Sequence, residues 1–307
     1  MDYDFIIVGG GPAGLTAGIY AVRRNLKTLI VEKALPGGQM QLTPIIENWP
    51  GEKQISGAEL SAKMHEQAKS LGVQFLFGEA EKLELESEEK KIHVSGKVLT
   101  CKAALLCRGG EHKHLGVPGE TELLGRGVSY CATCDAPFFK GKTVAVVGGG
   151  NTAVSDALYL SETCSRVYII HRRDQFRAEE KQIEEMTSKG IVPILNSEVE
   201  KINGEKFVSS ITIKDVRSKK TKDLKAEGVF ISIGIKPNSE LAKDAGVKVD
   251  GDGFIMVDRK MQTNIPGVFA AGDVIGGVLQ VATAVGEGCT AALSAYEYIR
   301  DPYWSRK

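Results

Sequence analysis

Phe5-Ile6-Ile7-Val8-Gly9-Gly10-Gly11-Pro12-Ala13-Gly14 is the stretch that decides the fold. Four apolar residues in a row read as a strand buried on both faces, as in a parallel sheet. Leu15, Ile19, Tyr20 and Val22 continue the stretch at helical spacing, and a second apolar run, Thr28 to Val31, ends at Glu32. Strand, glycine turn, helix and strand together predict a βαβ unit opening a doubly wound α/β domain.

Gly9, Gly11 and Gly14 hold the Gly-x-Gly-x-x-Gly spacing between strand and helix. Glycine lets the turn close tightly and a pyrophosphate approach the backbone, while the helix N-terminus offers N–H groups and a favourable dipole. Glu32 stands 18 residues after Gly14, where a carboxylate accepts hydrogen bonds from ribose hydroxyls. The same grammar returns in Thr143 to Val147, then Gly148-Gly149-Gly150-Asn151-Thr152-Ala153, then a helix through Val154, Ala157, Leu158 and Leu160, then the strand Val167 to Ile170. Here the ribose-reading place holds His171, followed by Arg172 and Arg173, with Arg177 beyond. Guanidiniums bind a 2′-phosphate that a carboxylate would repel. The first turn therefore suits FAD or NAD and the second NADPH. Because two nicotinamides would have little to exchange, FAD with NADPH is the expected pair.

Six cysteines occur, and only Cys131 and Cys134 are close together, in Cys131-Ala132-Thr133-Cys134-Asp135. A zinc site needs four ligands, and no second Cys-x-x-Cys or Cys-x-x-His pair exists. A redox disulfide and an inert thiol pair remain, and the i, i+3 spacing before a helix favours the first. Asp135 is placed either to move a proton to and from a thiolate or to cap a helix.

The organisation follows from these landmarks. A length of 307 residues exceeds one ordinary core. The segment 109–119 and the segment 234–238 read as links, so the expected division is residues 1–112, 113–236 and 237–307, the middle domain being inserted into an interrupted outer one. Between the two turns, Ile92 to Val94 and Val98 to Leu106 read as strands, and the charged run from Glu79 to Lys91 as a solvated hairpin. Phe230 to Ile233 reads as another strand, and a closing helix is expected from about Gly286 to Arg300. Zero formal net charge leaves no long-range field for nucleic acid or an anionic membrane. No apolar run reaches the roughly 18 residues of a membrane span, and Met1-Asp2-Tyr3-Asp4 does not open a secretion signal. Neither a nucleic-acid nor a membrane partner is expected, no metal is, and the expected setting is cytoplasmic.

Over essentially its full length the sequence resembles the low-molecular-weight thioredoxin reductases. The matching segments are Gly9 to Gly14, Gly37-Gly38-Gln39, Glu47-Asn48-Trp49-Pro50-Gly51, Cys131 to Asp135, Gly148 to Ala153, His171-Arg172-Arg173 with Arg177, and Gly267-Val268-Phe269-Ala270-Ala271-Gly272-Asp273. The resemblance implies a homodimer with a discontinuous FAD domain, an inserted NADPH domain carrying the redox disulfide, and rotation of the domains between half-reactions. Carried over by position, Cys134 is the flavin-proximal sulfur, Cys131 the thiol that attacks the thioredoxin disulfide, and Asp135 the general acid. Pro12, Ala13, Lys33, Gly38, Gln39, Asn48, Gly272, Asp273, Gln280, Val281 and Ala282 join the flavin contacts, and Arg126 and Phe138 fall where thioredoxin docks. Two departures stand out: Cys107-Arg108 replace the usual Ala-Thr before Gly109, and Leu279 replaces a basic residue before Gln280.

Two other readings compete. A small-molecule dithiol oxidase, or a thioredoxin-like reductase with another electron donor, would use the same scaffold, yet an oxidase has no use for the arginine set. A non-catalytic flavoprotein would not need Cys-x-x-Cys-Asp.

Overall fold

The first strand, β1 (Tyr3–Val8), splits its side chains between two cores. Phe5 and Ile7 enter one hydrophobic cluster and Ile6 and Val8 another, all at most 2% exposed. A strand covered on both faces is what the uninterrupted apolar run predicts, and each such buried side chain is worth about 1.5–3 kcal/mol.

The computed structural model describes residues 1–301. In chain order, β1 leads into α1 (Pro12–Val22), β2 (Thr28–Glu32), α2 (Gly57–Ser70), β3 (Gln74–Phe77), β4 (Ala80–Glu84), β5 (Lys90–Val94) and β6 (Lys97–Leu106). Strand order is β3-β2-β1-β6-β5-β4. Strands β1 to β3 and β6 run parallel, and β4 and β5 form an antiparallel hairpin on β6. This hairpin carries the charged run, but not all of it meets solvent: Lys90 is 2% exposed and its Nζ donates to the Ser87 carbonyl at 2.6 Å.

The chain then crosses into a second unit through β7 (Gly110–His112). That unit contains β8 (Val128–Ser129), α3 (Ala132–Asp135), β9 (Thr143–Val147), α4 (Asn151–Ser161), β10 (Arg166–Ile170), α5 (Glu180–Ser188) and β11 (Val192–Ile194). An antiparallel sheet of β12 (Ser197–Gly204), β13 (Val208–Asp215) and β14 (Thr221–Lys225) follows, then β15 (Gly228–Ile231). The parallel sheet is ordered β11-β10-β9-β15-β8. Again β9 serves two cores, Val144 and Val146 on one side, Ala145 and Val147 on the other. The expected strand from Phe230 to Ile233 starts two residues earlier and ends at Ile231.

The return crossing is β16 (Ile235–Pro237), which pairs with β7. Then come α6 (Glu240–Asp244), β17 (Val268–Ala270), which pairs in parallel with β6, and α7 (Val281–Arg300). The closing helix begins five residues before the expected Gly286, directly after Gln280. Contacts divide the chain into Met1–Glu111 with the chain from Lys236 onward, and His112–Ile235. Residues 302–307 of the last expected segment lie outside the described residues.

Candidate functional site

Two glycine turns and a disulfide hold most of the chemistry, and each is built locally. In the outer unit, Gly9 has φ 114° and a Cβ there would stand 2.3 Å from the Cys107 carbonyl oxygen. A Cβ on Gly14 would stand 2.0 Å from the Gly9 carbonyl oxygen, so only glycine lets α1 rest on the turn. Gly11 differs, since a Cβ there would meet nothing within 4 Å. It is also the N-cap of α1, and no side chain caps that end. Open space beside uncapped helix N–H groups is what a pyrophosphate needs, so the residues present fit a dinucleotide.

Glu32, Gly38 and Gly272 lie beside this turn or the start of α1, and Gln39, Asn48 and Gln280 have partners of their own. Glu32 accepts from Gly10 N at 2.6 Å and from Ala34 N at 2.9 Å, tying the turn to the end of β2. A Cβ on Gly38 would lie 3.5 Å from Gly11 Cα. Gly272, at φ 77°, stands against Ala13 and Ala284. Burial raises the pKa of the neighbouring Asp273. Asn48 Nδ2 donates to Gln280 Oε1 at 3.1 Å, which joins two expected residues far apart in sequence, next to Val281 and Ala282 at the start of α7. Gln39 Nε2 donates to the Gly110 carbonyl at 3.1 Å, and Lys33 is exposed just beyond Glu32.

Glu287 was not foreseen. Its Oε2 accepts from Gly272 N at 2.7 Å. Burial raises its pKa, the Gly272 N–H opposes this, and the Asp273 charge adds to it. A carboxylate on the inner face of a closing helix carries no local signal, so only the tertiary packing reveals it. The unusual Cys107 is buried below the turn, its Sγ 3.2 Å from the Gly9 carbonyl oxygen, and burial pushes its pKa up.

In the inserted unit the second turn repeats the design. Gly148 has φ 157°, and a Cβ on it would lie 2.3 Å from the Ser232 carbonyl oxygen and 2.7 Å from Ala153 Cβ. A Cβ on Gly150 would meet nothing within 4 Å, and no side chain caps α4 at that residue. Asn151, the first helical residue, accepts from Glu179 N at 2.9 Å and Thr152 follows it exposed. His171 is 6% exposed and its ring lies under Gly149, where a Cβ would come within 2.2 Å of Nδ1. The ring stacks on Phe176 at 5.6 Å, and its Nε2 is buried with no hydrogen-bond partner among the described residues. Burial lowers its pKa, and Arg177, Arg173 and Arg172 lower it further. The three arginines are exposed, and among the described residues no carboxylate pairs with them, since Asp174 bonds Arg217 at 3.0 Å instead.

The same unit carries the sulfur pair. Cys131 and Cys134 form a disulfide with Cα atoms 5.3 Å apart. It follows β8, the last strand in the sheet order, and Cys131 is the N-cap of the one-turn helix α3. The Cys131 N–H donates to Ser129 Oγ at 3.0 Å, and the Cys134 N–H points to Cys131 Sγ at 3.2 Å. Asp135 ends α3, where burial raises its pKa and a hydrogen bond from Ser129 partly opposes the rise. Phe138 is 42% exposed, and the Arg126 guanidinium bonds the Glu122 carbonyl. The other four cysteines, Cys101, Cys107, Cys164 and Cys289, are free thiols. No helix among the described residues is long and apolar enough to cross a membrane.

Comparison with known proteins agrees with this geometry. Residues 3–288 match the model for the pyridine nucleotide-disulphide oxidoreductase family. The thioredoxin reductase of Treponema pallidum is 44% identical over 302 residues, 97% of this chain and 97% of the relative. That of Bacillus subtilis is 41% identical, covering 97% of this chain and 95% of the relative. The crystal structure of thioredoxin reductase from Streptococcus pyogenes has a TM-score of 0.92 at 40% identity, over 97% of this chain and 98% of that one. The chain belongs to the pyridine nucleotide-disulphide oxidoreductase family.

Proposed function

We propose that this chain is an NADPH-dependent thioredoxin reductase with FAD as its internal carrier. The observation that carries the reading is a single disulfide, Cys131–Cys134, in the same unit as an open glycine turn flanked by three exposed arginines. The outer turn, with Glu32, Gly38, Gln39, Asn48, Gly272, Asp273 and Gln280, is assigned to FAD. The inserted turn, with Asn151, Thr152 and the arginines, is assigned to NADPH. Bound FAD supplies a two-electron carrier able to accept hydride from nicotinamide and pass electrons to sulfur.

The protein's own residues perform the exchange with the substrate. In the reduced enzyme the Cys131 thiolate attacks one sulfur of the thioredoxin disulfide. A mixed disulfide forms and the second thioredoxin sulfur leaves as thiolate, receiving a proton from Asp135. The Cys134 thiolate then attacks Cys131 Sγ, which closes the Cys131–Cys134 bond and expels the other thioredoxin sulfur as a thiolate that takes its proton from solvent, giving dithiol thioredoxin. Burial raises the Asp135 pKa above the ordinary carboxylate value, which favours the protonated form that a general acid needs. Arg126 and Phe138 are assigned to the docking face, rotation of the inserted unit between half-reactions is part of the proposal, and a homodimer is the expected assembly. A cytoplasmic setting is supported by four cysteines left as free thiols.

The test is turnover of purified protein with NADPH, with and without oxidised thioredoxin. Thioredoxin-dependent NADPH oxidation is expected. Oxygen consumption driven by a small dithiol, with no response to thioredoxin, would favour the oxidase reading instead.

A further inference from the structure

Tyr130, the residue before Cys131, is held by side chains from a segment ten and more positions earlier. Its hydroxyl donates to Glu120 Oε1 at 2.6 Å and lies 2.7 Å from His114 Nδ1. Since the hydroxyl proton goes to the carboxylate, the imidazole must donate, giving a chain from His114 through Tyr130 to Glu120. The His112 ring stacks on the Tyr130 ring at 4.8 Å and 22°. Glu120 is 3% exposed, and its carboxylate also accepts from the backbone N–H groups of Leu115 at 3.0 Å and Gly116 at 2.7 Å, with Val117 at 3.4 Å. Burial alone would raise its pKa. The Tyr130 hydroxyl and those backbone donors outweigh burial and hold it below the usual carboxylate value.

A buried carboxylate with this many donors, one of them on the residue next to the disulfide, is more than packing requires. A phenylalanine stacked on His112 would fill the same space without a buried charge. Ser129 Oγ holds the Cys131 N–H and Glu120 holds the Tyr130 hydroxyl, so the backbone leading into Cys131 is tied down at two consecutive residues just beyond the end of β8.

We propose that Glu120 is a positioning residue which, through Tyr130, fixes Cys131 in the orientation from which its sulfur attacks a partner's disulfide. The inference rests on the reading of Cys131 as the attacking thiol. It concerns only the thiol half-reaction, because none of these residues belongs to a glycine turn or the arginine set.

The experiment uses full-length protein carrying Tyr130→Phe, Glu120→Gln, Glu120→Ala or Cys131→Ser. For each, flavin reduction by NADPH, thioredoxin-dependent turnover and the alkylation rate of Cys131 in the NADPH-reduced protein are measured beside Tm. Tyr130→Phe and Glu120→Ala should lower kcat with thioredoxin about tenfold, the scale of one buried hydrogen bond, and slow alkylation similarly. The rate of flavin reduction should stay within about twofold of wild type, as expected for a step that does not use these residues. Glu120→Gln keeps an oxygen for Tyr130 and Leu115 but turns an NH2 group on the Gly116 and Val117 N–H donors, and should recover part of the loss. Wild-type turnover and alkylation in Tyr130→Phe overturn the positioning role, as do losses in all rates that track Tm. Normal turnover in Cys131→Ser overturns instead the reading on which it rests.

Discussion

The backbone N–H of Arg177 donates to the Gly149 carbonyl at 2.7 Å, so the arginine-bearing loop hangs directly from the second glycine turn. Asn151 holds the loop a second time, at Glu179 N. Both bonds fix the loop against the turn, with its guanidiniums exposed.

Neutralising Arg172, Arg173 and Arg177 together should raise KM for NADPH at least about 100-fold, from charge-assisted bonds worth roughly 1.5–3 kcal/mol each. KM for NADH should move less than about threefold, because NADH has no 2′-phosphate to lose. Steady-state kinetics with both nucleotides checks this, and parallel changes would remove the phosphate-reading role.

Alanine at the glycine turns should separate structure from binding. Gly14→Ala forces a Cβ to 2.0 Å from a carbonyl oxygen and should destabilise the protein by about 3 kcal/mol or more. Gly11→Ala and Gly150→Ala meet no atom within 4 Å and should leave the fold intact. Their effect should fall on FAD content and NADPH affinity respectively, by about tenfold or more where a Cβ meets the pyrophosphate. Melting curves with visible spectra and nucleotide titrations distinguish the two classes.

Thiol reactivity should follow burial. In NADPH-reduced protein near pH 8, an alkylating reagent should reach Cys131 long before Cys101 or Cys107. Burial pushes Cys101 up to about 12 and raises Cys107 as well, keeping both as thiols. Peptide mapping after a timed quench reads the order, and early labelling of Cys107 would contradict it.

Asp135 should impose a pH limb on the thioredoxin step. Its raised pKa means the proton it donates is lost as pH climbs above the ordinary carboxylate range. Turnover should fall along that limb in wild type. Asp135→Asn should reduce kcat by about 10²-fold, within the usual range for a general acid, and flatten the limb. An unchanged profile in the variant would leave Asp135 as a helix-end carboxylate only.

Asp156 supplies a stability test away from the chemistry. It is hydrogen-bonded by Ser232 Oγ at 2.5 Å, and burial raises its pKa. A raised folded-state pKa gives stability that is full below the unfolded value of about 4 and is lost as pH rises through the folded one. Asp156→Asn should therefore gain Tm over wild type as pH increases from 4 to 7, with the difference closing at the acid end. A pH-independent difference would contradict the shift.

Much of this molecule was legible in its residues. The two βαβ openings were readable because a continuous apolar run, a spaced glycine turn and a helical stripe each constrain the others. The start of α7 was not. The helix was expected from about Gly286, whereas it opens at Val281, and within it Gly288 is required because a Cβ there would stand 2.2 Å from the Ala13 carbonyl oxygen. Gly228 similarly opens β15 because a Cβ would strike the Phe139 ring. Such glycines answer to a partner across the fold, which no local pattern encodes. The same holds for Glu287 on Gly272, Glu120 on Tyr130 and buried Lys90. Their charge suggests solvent, and only the assembled tertiary structure shows what satisfies them.

The most direct test follows electrons to sulfur. Purified protein, held without oxygen, is mixed with one equivalent of NADPH, quenched with an alkylating reagent and mapped by mass spectrometry. Two newly labelled thiols should appear, at Cys131 and Cys134, and adding oxidised thioredoxin before the quench should erase both. Oxidation of NADPH with the Cys131–Cys134 bond still closed, or labels that persist after thioredoxin is added, would contradict the assigned route.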